Sequence, residues 1–181
     1  MPGNVDDRIE IVQGDITQLD VDAVVNAANK QLKRGGGVDG AIHKAAGPKL
    51  QEAADEIGGC PTGEAVVTPG FGLPADHVIH TVGPVYHGGD RNEDSLLESA
   101  YRSSLAQAEK NGVRRVAFPA ISTGVYGYPI GRAARIAAQT ARQWLAEHDL
   151  PQKVIFCAFD AATRAAYETE ITGDPEDDDA P

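Results

Sequence analysis

Six short runs rich in apolar and β-branched residues are separated by stretches whose apolar residues recur at helical spacing, and this alternation limits the fold more than any other feature of the chain. Ile9 and Ile11 alternate with polar neighbours up to Gly14, and a β-branched run covers residues 21–25 and ends in Asn26. Further runs lie at residues 65–68, 78–82, 113–119 and 154–159. Each has the length and composition of a strand. Between them, Val38, Ala41, Ile42, Ala45 and Ala46 fall on one helical face, and Leu50, Ala53, Ala54 and Ile57 on a second. Gly47-Pro48 and Gly58-Gly59 close these two helices. Leu96, Leu97, Ala100, Tyr101, Leu105 and Ala108 form a longer stripe stopped by Asn111-Gly112. Ala134, Ala137, Ala138, Ala141 and Leu145 mark another helix, and residues 161–171 the last. Strands separated by helices in this way build a sheet covered on both faces, so an α/β fold, a three-layer α/β/α sandwich, is expected. The chain has 181 residues and no internal repeat, which fits one domain over residues 1–171. Residues 172–181 are expected to be an acidic disordered tail, because five of the last eight are Asp or Glu.

Charge narrows the partners. The net charge is −11, from 16 Lys and Arg against 27 Asp and Glu. That disfavours nonspecific contact with nucleic acid or with an anionic membrane. No stretch approaches eighteen apolar residues, and Asp6, Asp7 and Arg8 interrupt the amino end before the apolar region of a signal peptide could form. A soluble cytoplasmic protein is expected. Cys60 and Cys157 are too few for a disulfide framework and are not spaced for a metal site.

In open α/β sheets the ligand crevice lies beyond the carboxyl ends of the strands. Four strand-end loops stand out here: Gly14-Asp15-Ile16-Thr17, the long loop of residues 26–43, residues 120–129, and residues 156–160. Gly35, Gly36 and Gly37 precede a helix, as do Ser122, Thr123, Gly124 and Gly127. Glycines at that place let backbone NH groups and the positive helix end approach an anion. Two such loops suggest two anionic groups, such as a pyrophosphate held from both sides. Neither a GxxxxGK[ST] nor a GxGxxG string is read in the chain, so neither a P-loop ATPase nor an ordinary Rossmann dehydrogenase is expected.

The strings GDIT, VNAAN, GGGVDGAIH, AAGP, GGCPTGEA, HVIHTVGP and ISTGVYGYP, taken in this order, resemble the macrodomain family. Within it they are similar to the branch of O-acetyl-ADP-ribose deacetylases and mono-ADP-ribosyl hydrolases, often called the MacroD type. The likeness runs from about Ile9 to Tyr167. It implies a mixed, mostly parallel central sheet and ADP-ribose or O-acetyl-ADP-ribose as ligand. It further implies mono-ADP-ribosylated proteins as partners, and neither cofactor nor metal.

The resemblance also assigns roles. Asp15 would accept a hydrogen bond from the adenine amino group, with Ile16 positioning the base through its backbone and Phe159 lying against it. An acid suits an exocyclic amine, although Asp15 alone would pass for a turn or cap residue. Asn29 would hold the distal ribose, since an amide both donates and accepts, and Asn26 would tie the loop to the backbone. Gly36, Gly37 and Val38 would offer NH groups to the phosphates from one side, and Ser122, Thr123, Gly124, Val125 and Tyr126 from the other. Tyr126 would also lie near the distal ribose. Arg34 stands where the family usually has one more glycine.

Asp39 and Asn29 are the expected catalytic residues. Asp39 lies beside the expected phosphates, whose repulsion would raise its pKa toward that of a useful general base. Its plainer reading is favourable interaction with the helix dipole. His43 shares its helical face but is read as structural. His80 is read as buried and hydrogen-bonded, and the two cysteines as packing residues. The implied activity is hydrolysis of esters at the distal ribose of ADP-ribose derivatives, including ADP-ribose on Asp or Glu side chains. The alternative is a reader that binds ADP-ribose without turnover.

Overall fold

A computed structural model describes residues 4–172, which form a six-stranded sheet between two layers of helices. The strands are β1 (Ile9–Gln13), β2 (Ala23–Ala27), β3 (Ala65–Pro69), β4 (His77–Thr81), β5 (Arg115–Phe118) and β6 (Lys153–Ala158). The helices are α1 (Gly37–Ala46), α2 (Lys49–Ile57), α3 (Glu93–Lys110), α4 (Ile130–Glu147) and α5 (Ala161–Thr172). Strand order is β1-β6-β5-β2-β4-β3. All neighbours are parallel except β3 and β4, which run antiparallel. Chain length explains the exception. Only residues 70–76 link β3 to β4, fewer than the dozen or so that a parallel crossover needs.

Alternation along the strands sorts side chains to the two helical layers. Val154, Phe156 and Ala158 of β6 join Ala23 and Val25 of β2 and Ile79 of β4 in one cluster with α3, α4 and Tyr167 of α5. Ile155 and Cys157, with Val24 and Val78, face the other way onto Ile42 and Ala46 of α1 and Leu50 of α2. Asn26 has the parity of Val24 and His80 that of Val78, so both side chains enter the α1 layer. The parallel register sets Asn26 directly opposite His80.

Several boundaries differ from expectation. Strand β2 starts at Ala23, two residues later than expected, although the Asp22 backbone still pairs with Arg115 and His77 and its carboxylate accepts from the NH groups of Arg114 and Arg115. Phe159 lies one residue beyond β6 and is 89% exposed. Helix α3 begins at Glu93, three residues before its apolar stripe. The buried Glu93 carboxylate accepts from the NH groups of His87, Gly89 and Arg91 and so orders the preceding loop. Helix α5 includes Thr172, which the sequence had assigned to the tail. Residues 173–181 of that expected tail lie outside the described residues. Among the described residues, no helix is long and apolar enough to cross a membrane.

Candidate active site

Four neighbouring strands, β1, β6, β5 and β2, end on the same side of the sheet and carry the four singled-out loops in a row. Three inter-strand spacings of about 4.8 Å give this row a span of roughly 14 Å. At one end, the register Gln13↔Ala158 sends Asp15 and Phe159 out of adjacent strand ends. Asp15 caps a short 3-10 turn, its Oδ1 accepting from Thr17 N at 2.9 Å and Thr17 Oγ1 at 2.7 Å, while Oδ2 has no such role. Ile16 points its side chain into the core beneath α1, leaving only its backbone available at the rim.

In the middle of the row, the loop after β5 makes a tight reversal. Ser122 has φ 68°, a left-handed conformation that is uncommon for a residue with a side chain. Tyr128 N donates to Ser122 O at 2.9 Å and Gly127 N to Gly124 O at 2.9 Å, so the NH groups of Gly124, Val125 and Tyr126 are not taken up in the loop's own bonds. Thr123 is tied back by its hydroxyl to Ala120 O, and the Val125 side chain is fully exposed. Gly83 makes this packing possible. A Cβ there would lie 2.2 Å from Ser122 Oγ and 2.5 Å from Ile121 Cγ2. Tyr86 N donates to Tyr126 O, which fastens the loop ordered by Glu93 to the same reversal.

The other end is built on the loop after β2. Gly36 precedes α1 without a side-chain cap and Gly37 has φ 57°, so the first NH groups of the helix, up to Val38, face the rim. Gly35, Gly37 and Gly40 do satisfy GxGxxG letter for letter, which corrects the sequence reading. Residues 28–36 intervene between β2 and α1, however, so the string is not the tight turn of a dinucleotide fold. Here the third glycine lets the Gly35 carbonyl lie against α1, since a Cβ on Gly40 would be 2.7 Å from that oxygen. Arg34 is exposed, and its NH donates to Gln51 Oε1 on α2 at 2.7 Å. Asn29 closes its own loop, exchanging hydrogen bonds with Lys33 O at 2.7 Å and Lys33 N at 3.0 Å.

Asp39, 6% exposed, is the centre of a buried polar cluster. Its Oδ2 accepts from Gly35 N at 2.6 Å and its Oδ1 from Asn26 Nδ2 at 2.6 Å. A Cβ on Gly35 would sit 3.3 Å from Asp39 Oδ2 and 3.9 Å from Asn29 Nδ2, so the loop brings these two residues to one point. Asn26 Nδ2 is also 3.1 Å from His80 Nδ1, and His80 Nε2 is 3.0 Å from Thr68 Oγ1. Asn26 therefore ties two strands to α1 through its side chain and is no backbone loop tie. Its Oδ1 is buried without a partner, a cost of about 1–3 kcal/mol that a purely structural core would avoid. Burial, with some help from His43, lowers His80 to about 4, so its ring is neutral. His43 Nε2 lies 3.6 Å from Asp39 Oδ1. Its pKa is lowered by burial, against the opposing pull of Asp39 and with a smaller push from Arg34. Burial pushes the Cys60 and Cys157 thiols up to about 11, which suits packing residues and not nucleophiles. Among the described residues, no group of His, Cys, Asp and Glu is arranged to hold a metal ion.

The family model of the Macro domain matches residues 25–137. This chain is a macrodomain. It is 56% identical over 171 residues to the macro domain-containing protein CT2219 of Chlorobaculum tepidum, covering 94% of this chain and 98% of that one. It is 53% identical over 169 residues to the O-acetyl-ADP-ribose deacetylase of Escherichia coli K12, covering 91% and 96%. Among solved structures, the G37V mutant of the Oceanobacillus iheyensis macrodomain with ADPR superposes with a TM-score of 0.90 at 42% identity, covering 97% of this chain and 98% of that one. The mixed six-stranded sheet of this macrodomain agrees with the three-layer architecture expected from its sequence. What the sequence did not reveal is the clustering of Thr68, His80 and Asn26 behind Asp39. They lie on three different strands, and their meeting depends on register.

Proposed function

We propose that this macrodomain binds ADP-ribose derivatives along the row of strand-end loops and hydrolyses esters at the distal ribose. O-acetyl-ADP-ribose and ADP-ribose esterified to Asp or Glu side chains of proteins are its substrates. The observation that carries the reading is the convergence of Asp39, Asn29 and the glycine loop at one end of a row whose other end offers Asp15 and Phe159. Relatives 53–56% identical over nearly the whole chain and named O-acetyl-ADP-ribose deacetylase support it.

In this reading, Asp15 Oδ2 accepts from the adenine amino group beside the backbone of Ile16, and the exposed ring of Phe159 stacks on the base. The NH groups of Gly36, Gly37 and Val38 and those of Gly124, Val125 and Tyr126 hold the pyrophosphate from two sides, with Ser122 and Thr123 shaping the second loop. Asn29 and Tyr126 orient the distal ribose. Each carboxylate oxygen of Asp39 has accepted one hydrogen bond and has a second lone pair free, so the group can hold a water and take its proton. The water adds to the acyl carbon, the bond to the ribose oxygen breaks, and the proton passes to that oxygen, giving acetate and ADP-ribose. Because both Asp39 oxygens already carry short bonds, a second reading has the substrate's own phosphate take the proton while Asp39 fixes the loop. Turnover of O-acetyl-ADP-ribose by the purified protein, with calorimetry of ADP-ribose binding, tests the proposal. Binding with no turnover would make the protein a reader.

A further inference from the structure

The row of loops accounts for Asp39 and Asn29 but leaves a chain of polar groups behind them with no assigned purpose. Thr68, His80 and Asn26 are 3%, 1% and 0% exposed, and they come from β3, β4 and β2. Buried polar groups of this kind are tolerated when each is satisfied, yet Asn26 Oδ1 is not. The donors and acceptors run in one direction only. Thr68 Oγ1 lies 3.1 Å from Pro69 O and 3.0 Å from His80 Nε2; donating to the carbonyl leaves it an acceptor towards His80, the arrangement in which Nε2 carries the imidazole proton. The neutral ring then presents a bare Nδ1 to Asn26. An acceptor at that point admits only the NH2 side of the amide. With one hydrogen directed at His80 Nδ1, the other is directed at Asp39 Oδ1, 2.6 Å away. Reversing the amide would set its oxygen against both a ring lone pair and a carboxylate.

We infer that His80 is a positioning residue for hydrolysis: through the orientation of Asn26 it fixes the Asp39 carboxylate beside the glycine loop, and the unpartnered Asn26 oxygen is the cost of that orientation. The inference rests on the reading of Asp39 as the group that handles the attacking water. It adds that the geometry of Asp39 is set by an imidazole two residues removed, which never meets the substrate. The ring is bonded by Asn26 from β2 and Thr68 from β3, and His43 of α1 is the titratable neighbour close enough to act on it.

Two substitutions separate this role from packing. His80→Asn puts an amide oxygen near the place of Nδ1 and keeps an acceptor for Asn26, though it creates a cavity. His80→Gln is closer to imidazole in volume and keeps a donor near Nε2, but withdraws the acceptor. A misplacement of about 1 Å at a reacting group can cost about 10²-fold in rate. His80→Gln is accordingly expected to lower kcat on O-acetyl-ADP-ribose by about 10- to 100-fold with KM and ADP-ribose affinity nearly unchanged. His80→Asn should keep about tenfold more kcat than His80→Gln. A packing role predicts the opposite order or none, and that result would overturn the inference. Nitrogen-15 spectra of the imidazoles in the wild-type protein need neither variant nor activity. A protonated Nε2 with bare Nδ1 is expected, and an Nδ1–H tautomer would refute the relay even if His80→Gln failed to fold. Wild-type protein without turnover would instead defeat the functional reading, leaving the tautomer to decide the orientation of Asn26.

Discussion

Replacing Asp39 by Ala should destabilise the fold and abolish most turnover, and the two losses have separate sizes. The carboxylate accepts from Gly35 N and Asn26 Nδ2, each at 2.6 Å. Hydrogen bonds to charged groups contribute about 1.5–3 kcal/mol each. The Gly35 bond is partly exposed and water can replace it, whereas Asn26 is fully buried and keeps only His80 as partner. Relief of burying a charge offsets part of the loss. The net expectation is about 2–4 kcal/mol, or roughly 5–15 °C in melting temperature for a domain of this size. Asp39→Asn retains one acceptor oxygen but turns its NH2 toward a donor, so about 1–2 kcal/mol is expected. Both variants should lose about 10²- to 10⁴-fold in turnover per folded molecule if Asp39 is the general base. ADP-ribose binding should persist, since a negative group beside the pyrophosphate has gone. Differential scanning calorimetry, titration calorimetry and single-turnover hydrolysis of O-acetyl-ADP-ribose measure the three quantities. An Asp39→Ala protein melting within a degree or two of wild type would refute the structural part. One with wild-type single-turnover rate would refute the base and leave proton transfer to the substrate phosphate.

Phe159→Ala removes a ring that is 89% exposed, so stability should change by less than about 0.5 kcal/mol. ADP-ribose affinity should nevertheless fall about 5- to 100-fold from lost stacking; unchanged affinity in a titration would show that the ring does not meet the base. Asp15→Ala loses the two bonds to Thr17, about 1 kcal/mol of capping, and should weaken adenosine and ADP-ribose binding by a similar factor, whereas a pure cap would leave binding intact. His43 and His80 both have lowered pKa values, with burial the first cause. The unfolded chain therefore binds protons that the fold refuses, and stability should decline as pH falls from about 6.5 toward 4. Urea midpoints across that window measure it, and a His80→Asn variant with the same slope as wild type would assign the effect elsewhere.

The sequence made the layers legible because each strand buried on both faces is a near-continuous apolar run, as in the residues around Val154 and Phe156, and each helix has one apolar stripe. The antiparallel pairing of β3 and β4 was legible in principle from the seven residues between them. The loops were legible through their glycines, although Gly40 shows that a motif's letters can serve a different contact. Glu93 escaped notice because an acid before an apolar stripe looks like an ordinary first-turn residue, and only the structure reveals three NH groups converging on it. The Asp39 cluster was half visible. Asp39 was marked by its place after the glycines and His80 was read as buried and hydrogen-bonded, but Asn26 and His80 are 54 residues apart and meet only through the β2–β4 register.

The sheet order has a consequence for how the protein is made. The first strand of the chain, β1, sits at the sheet edge beside the last strand, β6, so this pairing carries the largest loop-closure entropy in the fold and forms late. A chain growing on the ribosome cannot complete it until residue 158 has emerged. The contacts that fix Asp39 all fall between residues 26 and 80, whereas Asp15 and Phe159 come from the two ends of the chain. Contact order thus separates the two ends of the row of loops in time: the end proposed to cleave the ester can assemble from nearby segments during synthesis, and the end proposed to read the base is completed only when β1 and β6 pair.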